Sequence, residues 1–164
     1  MSNRIVILCV EDEPEVRDSI VRDLQPFAEI FRIEAAEDVA DARQVLQECM
    51  DEGDRIGLAL CDHVLPGETG VSFLVELNHD EATKAIRRVL ITGQAGQEDT
   101  IQAVNEGGLD YYITKPWQPD TLRHVVRDQL TEFVLGEEDD LLPYVALLDS
   151  QRLLEAVSQH QSDS

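Results

Sequence analysis

Leu58-Ala59-Leu60-Cys61-Asp62-His63-Val64-Leu65-Pro66-Gly67-Glu68-Thr69-Gly70 is an apolar run that stops at an acid and passes straight into turn residues. Four apolar positions in a row read as a strand buried on both faces, and Pro66, Gly67 and Gly70 mark the loop that ends it. Asp62 therefore sits at the carboxyl end of a strand, the edge at which open α/β sheets place their ligands. An aspartate before a turn is, taken alone, most often a turn-former or helix cap. Its meaning depends on what the other strands end in.

Upstream, Ile5-Val6-Ile7-Leu8-Cys9-Val10 is a β-rich run ending on Glu11-Asp12-Glu13-Pro14. Pro14 suits the first turn of a helix carrying Val16, Ile20 and Leu24, closed by Pro26. Ile30-Phe31-Arg32-Ile33 reads as a second strand, and Asp38 as the cap of a helix through Met50 with Gly53 just past its end. The third strand, 56–61, delivers Asp62. Downstream, a helix over 71–77 precedes Val89-Leu90-Ile91, a strand ending on Thr92-Gly93. A helix over about 98–106 ends at Gly107-Gly108. The fifth strand, Tyr111-Tyr112-Ile113, ends on Thr114-Lys115-Pro116, and Asp120 is expected to cap a last long helix through Phe133. Five strands alternating with five helices predict a doubly wound α/β domain, a five-stranded parallel sheet covered on both faces.

Composition bounds what such a domain does. The 164 residues suffice to bury about two thirds of the unfolded surface. Thirteen Lys and Arg against 34 Asp and Glu give a formal charge of -21, so nucleic-acid phosphate and anionic membrane are repelled and neither is an expected partner. No stretch approaches the ~20 apolar residues of a membrane span and no signal pattern opens the chain, so a cytoplasmic protein is expected. Cys9, Cys49 and Cys61 lack metal spacing and read as small buried residues. His63, His79, His124 and His160 lack it too and read as surface residues.

Placed side by side on one sheet edge, the strand ends bring together Glu11, Asp12, Asp62, Thr92 and Lys115. Three clustered acids raise at least one pKa unless a cation is present. A hard divalent ion with oxygen ligands fits, and Mg²⁺ suits a site with few protein ligands. Such a site is fitted to phosphoryl transfer onto a carboxylate, with Asp62 the candidate nucleophile.

These residues resemble the receiver domain of two-component response regulators over residues 4 to about 135. The resemblance rests on Val10-Glu11-Asp12-Glu13-Pro14, Asp62 with Leu65-Pro66-Gly67 and Gly70, Thr92-Gly93, and Tyr112 ahead of Lys115-Pro116. It implies a flavodoxin-like strand order 2-1-3-4-5, an order for which a family member is the standard example. It implies further that Asp62 accepts phosphate from a histidine kinase or phosphotransfer protein. Mg²⁺ would be held by Glu11, Asp12, Asp62 and the backbone carbonyl of Val64. Lys115 would contact the phosphoryl group, and Thr92 would hydrogen-bond it. Thr92 and Tyr112 would form the switch, acting on a downstream protein partner, and the Lys115-Pro116 bond would be cis. Glu11 stands where the family more often has Asp. Uncharged Val64 and Gln94 imply slow autodephosphorylation, so the chain is a signalling switch rather than an enzyme with a separate substrate.

Two other readings compete. Phosphatases of the haloacid dehalogenase type also combine a nucleophilic aspartate, Mg²⁺, threonine and lysine, but carry a second acid two residues after the nucleophile, where Val64 stands here. The stronger alternative is a receiver-fold interaction module that works without phosphorylation.

The composition shifts at Gly136-Glu137-Glu138-Asp139-Asp140. Residues 1–135 are read as the receiver domain, and 136–164 as an acidic hinge with an amphipathic helical tail whose last residues, 159–164, lack structure. Leu141, Leu142, Val145 and Leu148 form one helical stripe, which Leu147, Leu153, Leu154 and Val157 continue. That stripe packs either on its own domain or on a partner, including a second copy in a homodimer.

Overall fold

The structure is a computed structural model and describes residues 3–93, 104 and 108–162. Its strands are β1 (Ile5–Val10), β2 (Phe31–Ala36), β3 (Arg55–Asp62), β4 (Arg87–Thr92) and β5 (Tyr111–Thr114). They form one parallel sheet in the order β2-β1-β3-β4-β5, the flavodoxin-like order. The described helices are α1 (Pro14–Asp23), α2 (Val39–Asp51), α3 (Gly70–His79), α4 (Pro119–Glu137) and α5 (Ser150–Ser162). The helix expected over 98–106 lies outside the described residues apart from Val104.

Every residue of β1 is buried, as a central parallel strand covered on both faces requires. Ile7 and Cys9 face a core shared with α1 and α4, while Leu8 and Val10 face one shared with α2 and α3. The three cysteines are buried and reduced, and burial pushes the Cys9 thiol up to about 12. No described helix is long and apolar enough to cross a membrane.

Local chemistry explains most boundaries. Asp38 caps α2 by accepting a hydrogen bond from the Asp41 amide at 2.7 Å, and Gly53 follows with φ 89°. The last receiver helix starts earlier than expected: Gln118, not Asp120, is the N-cap. Pro119 occupies the first turn, where a fixed φ and a missing N–H cost nothing, and Asp120 instead pairs with Arg123. His63 is buried rather than on the surface, because its amide donates to the Ile91 carbonyl at 3.3 Å and its carbonyl accepts from Gly70. His79 and His124 are exposed.

Beyond α4 the chain departs from the expected pattern. The stripe over 141–148 does not form an α-helix. Leu142–Tyr144 is a 3-10 turn, since Pro143 removes a donor and crowds the preceding turn. Asp149 then caps α5, accepting from the Arg152 amide at 3.2 Å. Residues 159–162, expected to lack structure, continue that helix, because extending an anchored helix costs far less than nucleating one.

The tail folds back on its own receiver unit. Leu148 and Leu153 are 5 % and 0 % exposed and belong to the α1–α4 core, and the Tyr144 ring lies 5.9 Å from Phe31. Thr131 on α4 accepts from the Asp149 amide at 3.2 Å, and Arg152 pairs with Glu132. Glu138, in the stretch expected to be an open hinge, is tied to Arg55 at the start of β3. Leu148 and Leu153 are thus covered within the chain, while Leu142 and Leu154 stay exposed. Leu153→Ala should lower unfolding stability by about 2–5 kcal/mol. Leu154→Ala, at a half-exposed position next door, should change it by less than ~0.5 kcal/mol. Urea titrations of both variants with equal midpoints would refute the packing.

Candidate functional site

The register of the sheet aligns the strand ends. Val10 lies beside Cys61, Asp62 beside Ile91, and Thr92 beside Thr114. The residues at and just past these positions, Glu11, Asp12, Asp62, Thr92 and Lys115, therefore converge on one edge. Lys115 is held there by its amide, which donates to the Thr92 carbonyl at 3.0 Å, and its bond to Pro116 is cis.

The Lys115 ammonium bridges two carboxylates. It donates to Glu11 Oε1 at 2.9 Å and to Asp62 Oδ2 at 3.0 Å. Burial works against its charge, but pairing with Glu11 and Asp62 outweighs it, and the Lys115 pKa is raised. Glu11 is fully buried. Burial first, and the adjacent Asp62 next, push its carboxyl up to about 7 despite the nearby ammonium.

Glu11 Oε2 is buried with no hydrogen-bond partner. Carboxylate oxygens of Glu11, Asp12 and Asp62 lie within 4.8 Å of one another. An orphaned carboxyl oxygen beside two further carboxylates is the donor set a hard divalent cation takes, so the residues present fit a metal. Asp12 is exposed at the mouth. Asp62 is 7 % exposed, and its Oδ1 accepts from the Val64 amide at 3.4 Å.

Thr92 is buried beneath this edge, whereas Val64 is 67 % exposed above it. Tyr112 is 41 % exposed, as is Tyr111 at 50 %, so both rings face outward here. Gln94 falls outside the described residues.

The role of Gly70 was not evident from turn chemistry alone. A Cβ at Gly70 would lie 2.0 Å from the Asp62 carbonyl oxygen and 3.2 Å from the His63 Cα. Glycine lets the first turn of α3 seat directly under the Asp62–His63 peptide, and Thr69 caps that turn by accepting from Ser72 at 3.1 Å. Gly70→Ala must displace backbone rather than a flexible side chain. A loss of about 3 kcal/mol is expected, at the upper end for overpacking. An unchanged urea midpoint would mean the loop relaxes freely.

Residues 7–127 match the family model described as "Response regulator receiver domain". The chain belongs to that family. It is similar to the hydrogenase transcriptional regulatory protein HoxA of Bradyrhizobium diazoefficiens, 35 % identical over 140 residues, covering 85 % of this chain and 27 % of that protein. HoxA of Cupriavidus necator is 38 % identical over 121 residues, covering 74 % and 23 %. The chain thus spans about a quarter of the length of these two relatives. Among solved structures, a CheY-like receiver domain protein of Methanospirillum hungatei superposes with a TM-score of 0.67 at 26 % identity, covering 80 % of this chain and 97 % of that one.

Proposed function

We propose that this chain is a phosphoacceptor switch in which Asp62 receives a phosphoryl group from the phosphohistidine of a sensor kinase or phosphotransfer protein. The observation that carries the reading is the Lys115 ammonium held between Glu11 and Asp62, beside an acid cluster with an unsatisfied oxygen. In the transfer an Asp62 oxygen forms the new O–P bond as the N–P bond breaks. The departing imidazole keeps the electron pair and takes a proton. Phosphoryl transfer asks the protein mainly for positioning and charge stabilisation, and a fixed ammonium 3.0 Å from Asp62 offers both.

Glu11, Asp12, Asp62 and the backbone carbonyl of Val64 are the proposed magnesium ligands. The ion, when bound, supplies positive charge for the incoming phosphoryl oxygens and the clustered carboxylates. The Thr92 hydroxyl and the Lys115 ammonium would contact the attached group. Such a group shifts a two-state equilibrium only by binding one state better. Thr92 and Tyr112 are the proposed movers, with Tyr112 turning inward from its present exposed position. The surface to be remodelled comprises the region over 98–106, β5 and α4. Slow loss of phosphate belongs to the same proposal, because exposed Val64 can neither act as a base nor orient water by charge.

The two HoxA relatives are transcriptional regulatory proteins by name. This chain, at -21, would act on a downstream protein rather than bind nucleic acid itself, and would do so in the cytoplasm. Its proposed layout is a receiver unit over 1–135 with the 136–164 tail folded onto it. Incubation with ³²P-labelled acetyl phosphate should give Mg²⁺-dependent, hydroxylamine-labile labelling. No labelling under conditions where Mg²⁺ binds would favour the phosphorylation-independent interaction module instead.

A further inference from the structure

Arg55, the first residue of β3, pairs with Glu138, just past α4. The end of α4 therefore lies at the sheet edge opposite Asp62. There a groove of about 540 Å³ opens between the last turn of α4 and α5. Leu135, Leu142, Ala156 and Val157 give it apolar walls, and Leu142 is 60 % exposed. Its rim is acidic. Glu137, Asp139 and Asp140 are exposed and, among the described residues, none of them is held in a salt bridge. The negative end of the α4 dipole points the same way.

Gly136 stands in the wall of this groove. A Cβ there would meet nothing within 4 Å, and its φ is not in the left-handed region. Neither the packing nor the backbone of this chain requires glycine at a helical position where it costs about 1 kcal/mol relative to alanine. A missing side chain on an open helix face is what close approach of another backbone requires.

We propose that this groove docks an amphipathic helix of a partner protein, basic along its flanks, whose backbone crosses close to Gly136. Apolar residues would enter between Leu142 and Val157 while lysines or arginines meet the acidic rim, a recognised mode of helix-in-groove binding. A second copy is the poorer occupant, since it would bring another chain of charge -21 against the same rim. The surface is remote from Asp62, so the proposal stands apart from the phosphorylation reading.

The test uses the full chain at 0.15 M ionic strength, where surface charge is screened beyond ~8 Å. Fluorescence anisotropy would follow two labelled helical peptides of about 18 residues. One is leucine–lysine and the other leucine–glutamate, both with leucines at helical spacing. The leucine–lysine peptide should bind and the leucine–glutamate peptide should not. Gly136→Phe, which fills the groove without a charge change, should weaken binding by about tenfold or more, as a central contact does. Leu142→Asp should weaken it too, although it adds negative charge. Glu48→Gln on α2 should leave it unchanged. If Gly136→Phe does not fold, Leu142→Asp decides. Unchanged or tighter binding by Leu142→Asp would show diffuse attraction and overturn the proposal, as would failure of the leucine–lysine peptide to bind. A doubled mass in light scattering that Gly136→Phe abolishes would give the groove to a second copy, and also overturn it.

Discussion

Asp62→Asn should reduce Mg²⁺-dependent labelling by acetyl phosphate to background, a loss of at least about a thousandfold, of the order seen when a reaction loses its nucleophile. Asp62 is the carboxylate at the end of the central strand β3, with one oxygen 3.0 Å from the Lys115 ammonium. The amide nitrogen of asparagine is a poor nucleophile, and its oxygen carries no full charge. The fold should survive, because the substitution is nearly isosteric and relieves carboxylate crowding beside Glu11. Circular dichroism and the urea midpoint are expected to match the parent or improve on it. Undiminished labelling, traced by peptide mapping to Asp12 or Glu11, would sink the assignment. Glu11 is the weaker candidate on physical grounds. It is fully buried and its Oε1 is already engaged by the Lys115 ammonium at 2.9 Å, so a phosphoryl donor reaches Asp62 more readily.

Much of the fold could be read from the chain because four of the five strands carry an apolar run that ends abruptly on a polar residue; β2, with Arg32 and Glu34 inside it and Ala36 at its end, does not. Val10 before Glu11, Cys61 before Asp62 and Ile113 before Thr114 mark the sheet edge in one dimension. Parallel pairing with right-handed crossovers then brings those ends together. Boundaries moved where a second local signal competed. At 118–120 a proline at the first helical position outranked an aspartate as the start signal. At 141–148 a leucine stripe concealed Pro143.

Other features depend on distances that periodicity does not encode. The pairing of Lys115 with Glu11 joins residues 104 positions apart, and nothing in spacing distinguishes it from a lysine facing water. Burial of His63 follows from how closely α3 approaches β3, and that follows from the absence of a Cβ at Gly70. The destination of the tail was legible as an amphipathic face but not as an address. Leu153 finds α4 through Asp149 and Arg152, whose partners Thr131 and Glu132 lie in α4.

Replacing Lys115 should produce a pH-dependent loss of stability as well as a loss of function. In the metal-free protein the Glu11 carboxyl stands at about 7 against 4.5 for the free group. A raised carboxyl contributes stability that is complete below about pH 4.5 and is lost as pH rises through about 7. The cost by pH 8 is on the order of 3 kcal/mol. Lys115 partly offsets that cost, and its own raised pKa keeps it charged throughout this range. Lys115→Met retains the apolar stem and removes the ammonium, so Glu11 rises further and its ionised form has no counter-charge. The stability gap between parent and variant should be modest at pH 5, where Glu11 is neutral in both. By pH 8 it should widen by about 1–3 kcal/mol, since removing one partner strands a buried charge. Urea titrations in EDTA at the two pH values measure this directly, and equal gaps would mean that Glu11 does not titrate in the window. With Mg²⁺ present, labelling by acetyl phosphate should fall by about a hundredfold or more, the scale of losing one preorganised charge at a developing anion. A variant that kept its rate while showing the widened pH gap would leave Lys115 a structural counter-ion and remove it from the transfer step.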